Sequence, residues 1–122
     1  MGLRVREHDA EGVIHTHLIG EAVRNGGHVV LVADERMHFL AASDAACALL
    51  GYTRKELAGM SVPDIVVEQN AAELYEEFVR TNRQHGTITL RRKNRTLVKA
   101  QYDAHRTRVA GVTYFVSVLI PD

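Results

Sequence analysis

This 122-residue sequence has a single cysteine, no tryptophan and two prolines, and its 15 basic side chains are matched by 15 acidic ones. The lone Cys47 excludes an internal disulfide and a pair of cysteine metal ligands, which favours a reducing cytoplasm. The charge balance removes the global field that would attract nucleic acid or an anionic membrane. No apolar run approaches the ~20 residues that span a bilayer, and the N-terminus MGLRVREHD lacks the apolar core of a signal peptide. We therefore expect a cytoplasmic protein without direct nucleic-acid or membrane binding.

Residues 1–26 are predicted to form an N-terminal amphipathic helix and its cap. Apolar residues recur there at helical spacing, with charged and polar residues between them. They are Val13, Ile14, Leu18, Ile19, Ala22 and Val23. Gly26 and Gly27 end this helix, because glycine tolerates the positive φ that other residues resist. The remainder, residues 27–120, has the size of one globular domain with a single core.

Three short helices are predicted within residues 41–65. Ser43 can cap the first helix, and Gly51 stands where that helix would end in a left-handed conformation. Thr53 begins a T-x-x-E capping box, in which side chains and backbone N–H groups satisfy one another at the start of the second helix. Ser61 precedes a Val-Pro pair that suits a first helical turn.

Alternating or apolar runs predict five strands, and a longer amphipathic helix is predicted between the second and third, ending at Gly86. The predicted strands are residues 28–33, 37–42, 87–92, 96–108 and 112–120. The first and last of them are apolar on both faces, so both need cover on two sides. The N-terminal helix is the remaining amphipathic element, and we expect it to lie across the back of this sheet or of a partner's sheet.

That arrangement assigns five apolar side chains to a helix-to-sheet or subunit contact. They are Ile14, Leu18 and Ala22 on the helix, and Phe115 and Leu119 on the last strand. The sequence therefore predicts a homodimer.

The order strand, strand, three short helices, longer helix and three strands, together with LLGYTRKELAG, resembles a PAS domain. The resemblance covers about residues 27–119 and is most specific over residues 42–59. It implies an α+β fold with a five-stranded antiparallel sheet of order 2-1-5-4-3. The short and longer helices would lie on one face and the N-terminal helix on the other. Two departures stand out: Ser43 replaces a frequent asparagine, and Asn94 is followed by Arg95 rather than glycine, so Asn94 is expected to take the left-handed position.

The resemblance also bears on cofactors and ligands. Haem-binding relatives carry a histidine on the longer helix, whereas the corresponding place here is near Tyr75; flavin-adduct relatives carry a cysteine that MSVPDIVVEQN lacks. Both comparisons argue against those cofactors. A ligand pocket would lie between the longer helix and the sheet, with Ser43, Tyr75, Tyr102 and Tyr114 as candidate contacts. Alternatively, the tyrosines fill the core and bond to backbone.

Other chemistry-bearing residues do not form a recognisable catalytic set. Asp64 or Asp103 beside single histidines is a weak constellation, without a nucleophile, base and orienting group together, so no enzyme is predicted. Cys47 lies among alanines and leucines and is interpreted as a small core residue. The basic hairpin, residues 91–99, is either a solvated turn or a docking patch for an anionic partner.

The sequence thus predicts a sensory and dimerisation domain of a signal-transduction or transcription-regulatory protein, acting with an output domain or partner protein. It would respond to a small ligand or to a partner. The alternative is a ligand-free protein-interaction module with a filled core.

Overall fold

The computed structural model describes residues 27–67, 73, 76, 77 and 80–122. Five strands form one antiparallel sheet in the order β2-β1-β5-β4-β3. The strands are β1 (Val29–Ala33), β2 (Phe39–Ala42), β3 (Arg83–Arg91), β4 (Leu97–Val109) and β5 (Val112–Pro121). The helices between β2 and β3 include α1 (Asp44–Leu50), α2 (Arg54–Ala58) and α3 (Val62–Ile65). The predicted fold class and strand order are confirmed.

β1 and β5, the two strands that are apolar on both faces, are inner strands of the sheet. These strands pair directly, from Val29 opposite Leu119 to Ala33 opposite Phe115. Each also has a neighbour on its other edge, β2 beside β1 and β4 beside β5. An inner strand of this kind has no free backbone edge, so water can reach it only across a face.

The short helices begin and end where local capping predicts. The Ser43 hydroxyl accepts from the Ala46 N–H at 3.1 Å, and α1 ends at Gly51 with φ 80°. At α2 both halves of the Thr53 capping box are formed. These contacts use residues three or four apart, and the sequence therefore specifies them without knowledge of the tertiary fold.

The predicted end of the longer helix at Gly86 is wrong. Thr81 is still helical, Asn82 takes the left-handed conformation with φ 64°, and β3 begins at Arg83. Gly86 instead lies within β3 opposite Tyr102, where an added Cβ would meet the tyrosine ring at 3.5 Å. From the sequence alone, a glycine that leaves space for an aromatic ring across a strand pair cannot be distinguished from a glycine that ends a helix.

The β3–β4 hairpin also differs from the prediction. Arg95, with φ 72°, takes the left-handed position that was expected of Asn94. The Asn94 side chain instead accepts from the Thr96 N–H at 3.0 Å and from its hydroxyl at 2.6 Å. Asparagine thus stabilises the turn with its side chain, which leaves the positive φ to its neighbour.

The register divides the sheet into two faces, because successive side chains of a strand point to opposite sides. The cavity face, which the short helices cover, carries Leu31, Ala33, Gln84, Ile88, Leu90, Tyr102, Ala104, Phe115, Ser117 and Leu119. The outer face carries Val30, Val32, Leu97, Lys99, Gln101, Asp103, His105, Tyr114, Val116, Val118 and Ile120. The predicted N-terminal helix, with Ile14, Leu18 and Ala22, lies outside the described residues, as does Tyr75.

Candidate functional site

A cavity lies between the sheet and α3, on the cavity face. Its volume is about 100 Å³, and most of its lining is aliphatic or aromatic. The strand residues of the cavity face line it together with Phe39, Val62, Ile65 and Val66. Pockets for drug-sized ligands enclose roughly 300–1,000 Å³, whereas an engineered apolar cavity of about 150 Å³ takes up benzene. The cavity is therefore of a size for a molecule of only a few heavy atoms.

Three polar side chains interrupt this apolar lining on adjacent strands. Gln84 of β3 and Ser117 of β5 are both paired with Ala104 of β4, so the three residues form one row across the sheet. Tyr102 lies two residues from Ala104 on the same strand and the same face. We call Gln84, Tyr102 and Ser117 around Ala104 the polar niche.

The polar niche can both donate and accept hydrogen bonds. A glutamine amide supplies two N–H donors and a carbonyl acceptor, and each hydroxyl can act in either sense. All three side chains are half-buried. Among the described residues, no hydrogen bond engages the Gln84 amide or the Ser117 hydroxyl. Polar groups that are partly withdrawn from water without a partner are stabilised by a ligand that bonds to them.

The structure separates the four residues that the sequence proposed as ligand contacts. Tyr102 lines the cavity. Tyr114 is fully buried, but it lies on the outer face because its neighbour Phe115 points into the cavity. Tyr75 lies outside the described residues. The placement of Tyr114 at the cavity is thus corrected: β5 is apolar on both faces, and its alternation alone does not show which face the helices cover.

Ser43 has a structural role away from the described cavity lining. Its hydroxyl oxygen accepts from the Val30 N–H of β1 at 2.9 Å and from the Ala46 N–H of α1 at 3.1 Å. The side chain is fully buried. Ser43 therefore fastens the start of α1 to the sheet, where the sequence had suggested a ligand contact.

Phe115 and Leu119, predicted to form a helix or subunit contact, also change place. Both line the cavity and are only 2% and 3% exposed. The outward-pointing residues of the same strand are Val116, Val118 and Ile120. Phe115 and Leu119 therefore point to the face opposite the one that the predicted contact requires. Sequence reasoning missed Gln84 and Ser117 because one polar residue in a strand has no distinctive spacing.

The basic hairpin is held against α1 and α2 rather than being only a solvated turn. Arg92 Nε donates to the Leu49 carbonyl at 2.9 Å, and the Lys93 N–H donates to the Leu50 carbonyl at 2.9 Å. These bonds satisfy carbonyls that the end of a helix leaves unpaired. Lys93 Nζ also lies 2.6 Å from Glu56 Oε2. This bond, followed by the Thr53 N–H, holds the pKa of Glu56 below its ordinary value.

Cys47, Asp103 and His105 are further residues with reactive side chains. Burial raises the pKa of the Cys47 thiol, which favours the protonated, unreactive form. Asp103 and His105 come together on the outer face, where Oδ1 and Nε2 are 3.2 Å apart, and Arg83 Nη2 lies 3.6 Å from Asp103 Oδ2. In the part of the chain that the structure describes, no group of three histidine, cysteine or acidic residues is arranged to hold a metal.

Comparison with known proteins defines the family. A family model described as a PAS domain matches residues 27–120, and the chain belongs to the PAS domain family. The resemblance seen in the sequence is therefore confirmed. A comparison with curated protein sequences gives no significant match.

Solved structures show the same fold at low sequence identity. The PAS domain of an HTR-like protein from Haloarcula marismortui has a TM-score of 0.75 at 16% identity, covering 98% of this chain and 99% of that one. A PAS domain from a two-component sensor histidine kinase has a TM-score of 0.74 at 18% identity, with coverages of 93% and 98%. A domain of a sensory box sensor histidine kinase/response regulator from Geobacter sulfurreducens has a TM-score of 0.71 at 17% identity, with coverages of 86% and 92%.

Within the described residues, none of the helices is both long enough and apolar enough to cross a membrane.

Proposed function

We propose that this chain is the sensory module of a cytoplasmic signalling or transcription-regulatory protein, and that a small molecule bound in the cavity is its signal. The observation that carries the proposal is the polar niche, which faces an otherwise apolar cavity. The Gln84 amide and the Ser117 hydroxyl make no hydrogen bond to a described residue, so a ligand in the cavity could bond to both. The structural likeness to domains of sensor histidine kinases supports the same function.

β5 offers a direct route from the ligand to the rest of the protein. Phe115, Ser117 and Leu119 contact the cavity, while Val116 and Val118 of the same strand lie on the outer face. A ligand that favours one position of this strand would also favour one arrangement of whatever packs on the outer face. Such coupling requires only that the ligand bind the two arrangements with different affinity.

The outer face is proposed to dock a second copy of this chain. The large apolar side chains that are exposed among the described residues are Leu97, Val118 and Ile120, and all three lie on this face. Val118 is 37% exposed and Ile120 is 65% exposed at the centre of the sheet. An apolar strip of this kind on an inner strand is typical of an interface.

Binding rather than catalysis is the activity proposed for the cavity. The described residues that line it include no carboxylate, imidazole or thiol, the groups that most often transfer protons or attack substrates. An amide, a phenol and an aliphatic hydroxyl are suited to recognising a ligand by hydrogen bonds.

Thermal unfolding of the full chain across a panel of small metabolites tests the proposal. Ala104→Leu places three more carbons in the cavity, and Ala48→Leu is the matched control on the exposed surface of α1. A ligand should raise the unfolding midpoint of the wild type and of Ala48→Leu but not that of Ala104→Leu. Midpoints that no compound shifts, or shifts that Ala104→Leu retains, would contradict a signal bound in this cavity.

A further inference from the structure

We infer that the ligand is a small, uncharged molecule with an apolar body and one amide-like or hydroxyl-like group, and that the polar niche recognises this group. The inference rests on the proposed function, because it names the class of ligand for the same cavity. Three features of the described residues carry it: the size of the cavity, the absence of charge in its lining, and the position of the niche.

Size favours a ligand with fewer heavy atoms than the six of benzene. A cavity of about 100 Å³ is smaller than the roughly 150 Å³ in which benzene binds. A flat, multi-ring cofactor would need several times this space.

Charge decides the form of the ligand's polar group. None of the described lining residues is ionisable at neutral pH, and the surroundings of the niche include Ala33, Ile88 and Phe115. A carboxylate or ammonium group moved from water into such a site would lose its hydration without gaining an opposite charge. A neutral group loses much less and can still bond to the niche.

Position decides where that group would lie. Gln84 and Ser117 are on strands separated by β4, which places their backbones ~10 Å apart across Ala104. The small Ala104 side chain leaves the space between them open, and the Tyr102 ring, packed over Gly86, borders it. A carbonyl or hydroxyl over Ala104 would be within reach of donors from two sides, and an N–H of the same group would be within reach of acceptors.

Propionamide and propionate provide a matched pair of probes, since both have five heavy atoms and only propionate is charged at neutral pH. Each is titrated into the ¹⁵N-labelled full chain at pH 7.5, and backbone amide shifts are followed by NMR. We expect millimolar binding of propionamide with shifts at residues 84, 102, 104 and 117, and at least ~10-fold weaker binding of propionate.

Three variants make the test specific. Gln84→Met removes the amide at similar side-chain volume, Ser117→Ala removes the hydroxyl, and Gln101→Met makes the same exchange as the first on the exposed outer face of β4. Gln84→Met and Ser117→Ala should each weaken propionamide binding by ~5- to 10-fold, whereas Gln101→Met should leave it unchanged.

Equal affinity for propionamide and propionate, or propionamide affinity that survives in both niche variants, would overturn the inference. Absence of cavity shifts with propionamide would also overturn it. The proposed function fails separately, when no compound of the metabolite panel stabilises the wild type more than Ala104→Leu. A charged or purely apolar metabolite that binds only when the cavity is open would leave the sensory function standing and refute this ligand class.

Discussion

The two faces of β5 have similar sequences but different surroundings. Phe115 and Leu119 on the cavity face are almost fully buried, whereas Val118 and Ile120, one residue away along the strand, are substantially exposed. The helices between β2 and β3 bury the cavity-face pair, whereas burial on the outer face varies along the strand, from Tyr114 at 0% to Ile120 at 65% exposed. An apolar strand therefore shows that both of its faces need cover, but it does not show which face the helices cover.

Truncation of neighbouring side chains on β5 should give the largest contrast between the faces. Leu119→Ala is expected to lower the free energy of unfolding by about 2–5 kcal/mol, because it enlarges the cavity and removes buried contacts. Ile120→Ala, at a position that is 65% exposed, should change it by less than about 0.5 kcal/mol in dilute protein. Urea denaturation measures both, and equal losses would contradict the assignment of the faces.

A charge on the outer face should break the proposed dimer without unfolding the domain. Val118→Arg would bury an unpaired guanidinium at the contact, and we expect it to raise the dimer dissociation constant at least ~30-fold. Leu18→Arg should have the same effect on the helix that the sequence predicts, whereas Ala48→Arg, on the exposed surface of α1 and not on the outer face, is the control. Light scattering over a concentration series measures the dissociation constants. A Val118→Arg protein that remains dimeric would exclude the outer face as the dimer interface.

Ser43→Ala should lower the free energy of unfolding of the domain by about 1–3 kcal/mol. The substitution removes the acceptor for two backbone N–H groups, those of Val30 and Ala46, at a fully buried place. Ser61→Ala at the start of α3, where the capping bonds are exposed, should cost less than about 1 kcal/mol. Similar losses in thermal unfolding would mean that Ser43 does not fasten α1 to β1.

The smallest expected effect concerns Glu56, far from both faces of β5. Its folded pKa is lowered by Lys93, so the carboxylate stabilises the fold above its ordinary pKa of 4.5, and this stabilisation is lost as the pH falls through the folded pKa. Glu56→Gln should lower the unfolding midpoint slightly at pH 7, and the difference from the wild type should shrink as the pH is lowered. A difference that does not shrink on acidification, or that is insensitive to 1 M salt at pH 7, would argue against the ion pair with Lys93.

Local chemistry explains what could be predicted from the sequence. The caps at Ser43 and Thr53 and the left-handed Gly51 depend on residues within one helical turn, and all three are confirmed. The strand order was implied by the family resemblance, and the two-sided apolarity of β1 and β5 agreed with it.

Features that depend on register were beyond the sequence. The phase of β5, the row formed by Gln84, Ala104 and Ser117, and the packing of Gly86 against Tyr102 all require the pairing of strands that are distant in the chain. Shifting a strand by one residue exchanges its two faces, and a pattern that is apolar on both faces cannot reveal the shift. The candidate site was therefore only partly foreseen: of the predicted contacts that the structure describes, Tyr102 alone lines the cavity.

Native mass spectrometry of protein purified from cells, paired with its denatured mass and an absorption spectrum, tests the central claim most directly. If the cavity holds the signal, the wild type should carry a small additional mass that is lost on denaturation and is missing from Ala104→Leu. The same difference between native and denatured mass in the two proteins, whether both are bare or both carry the same molecule, would contradict a ligand site in this cavity.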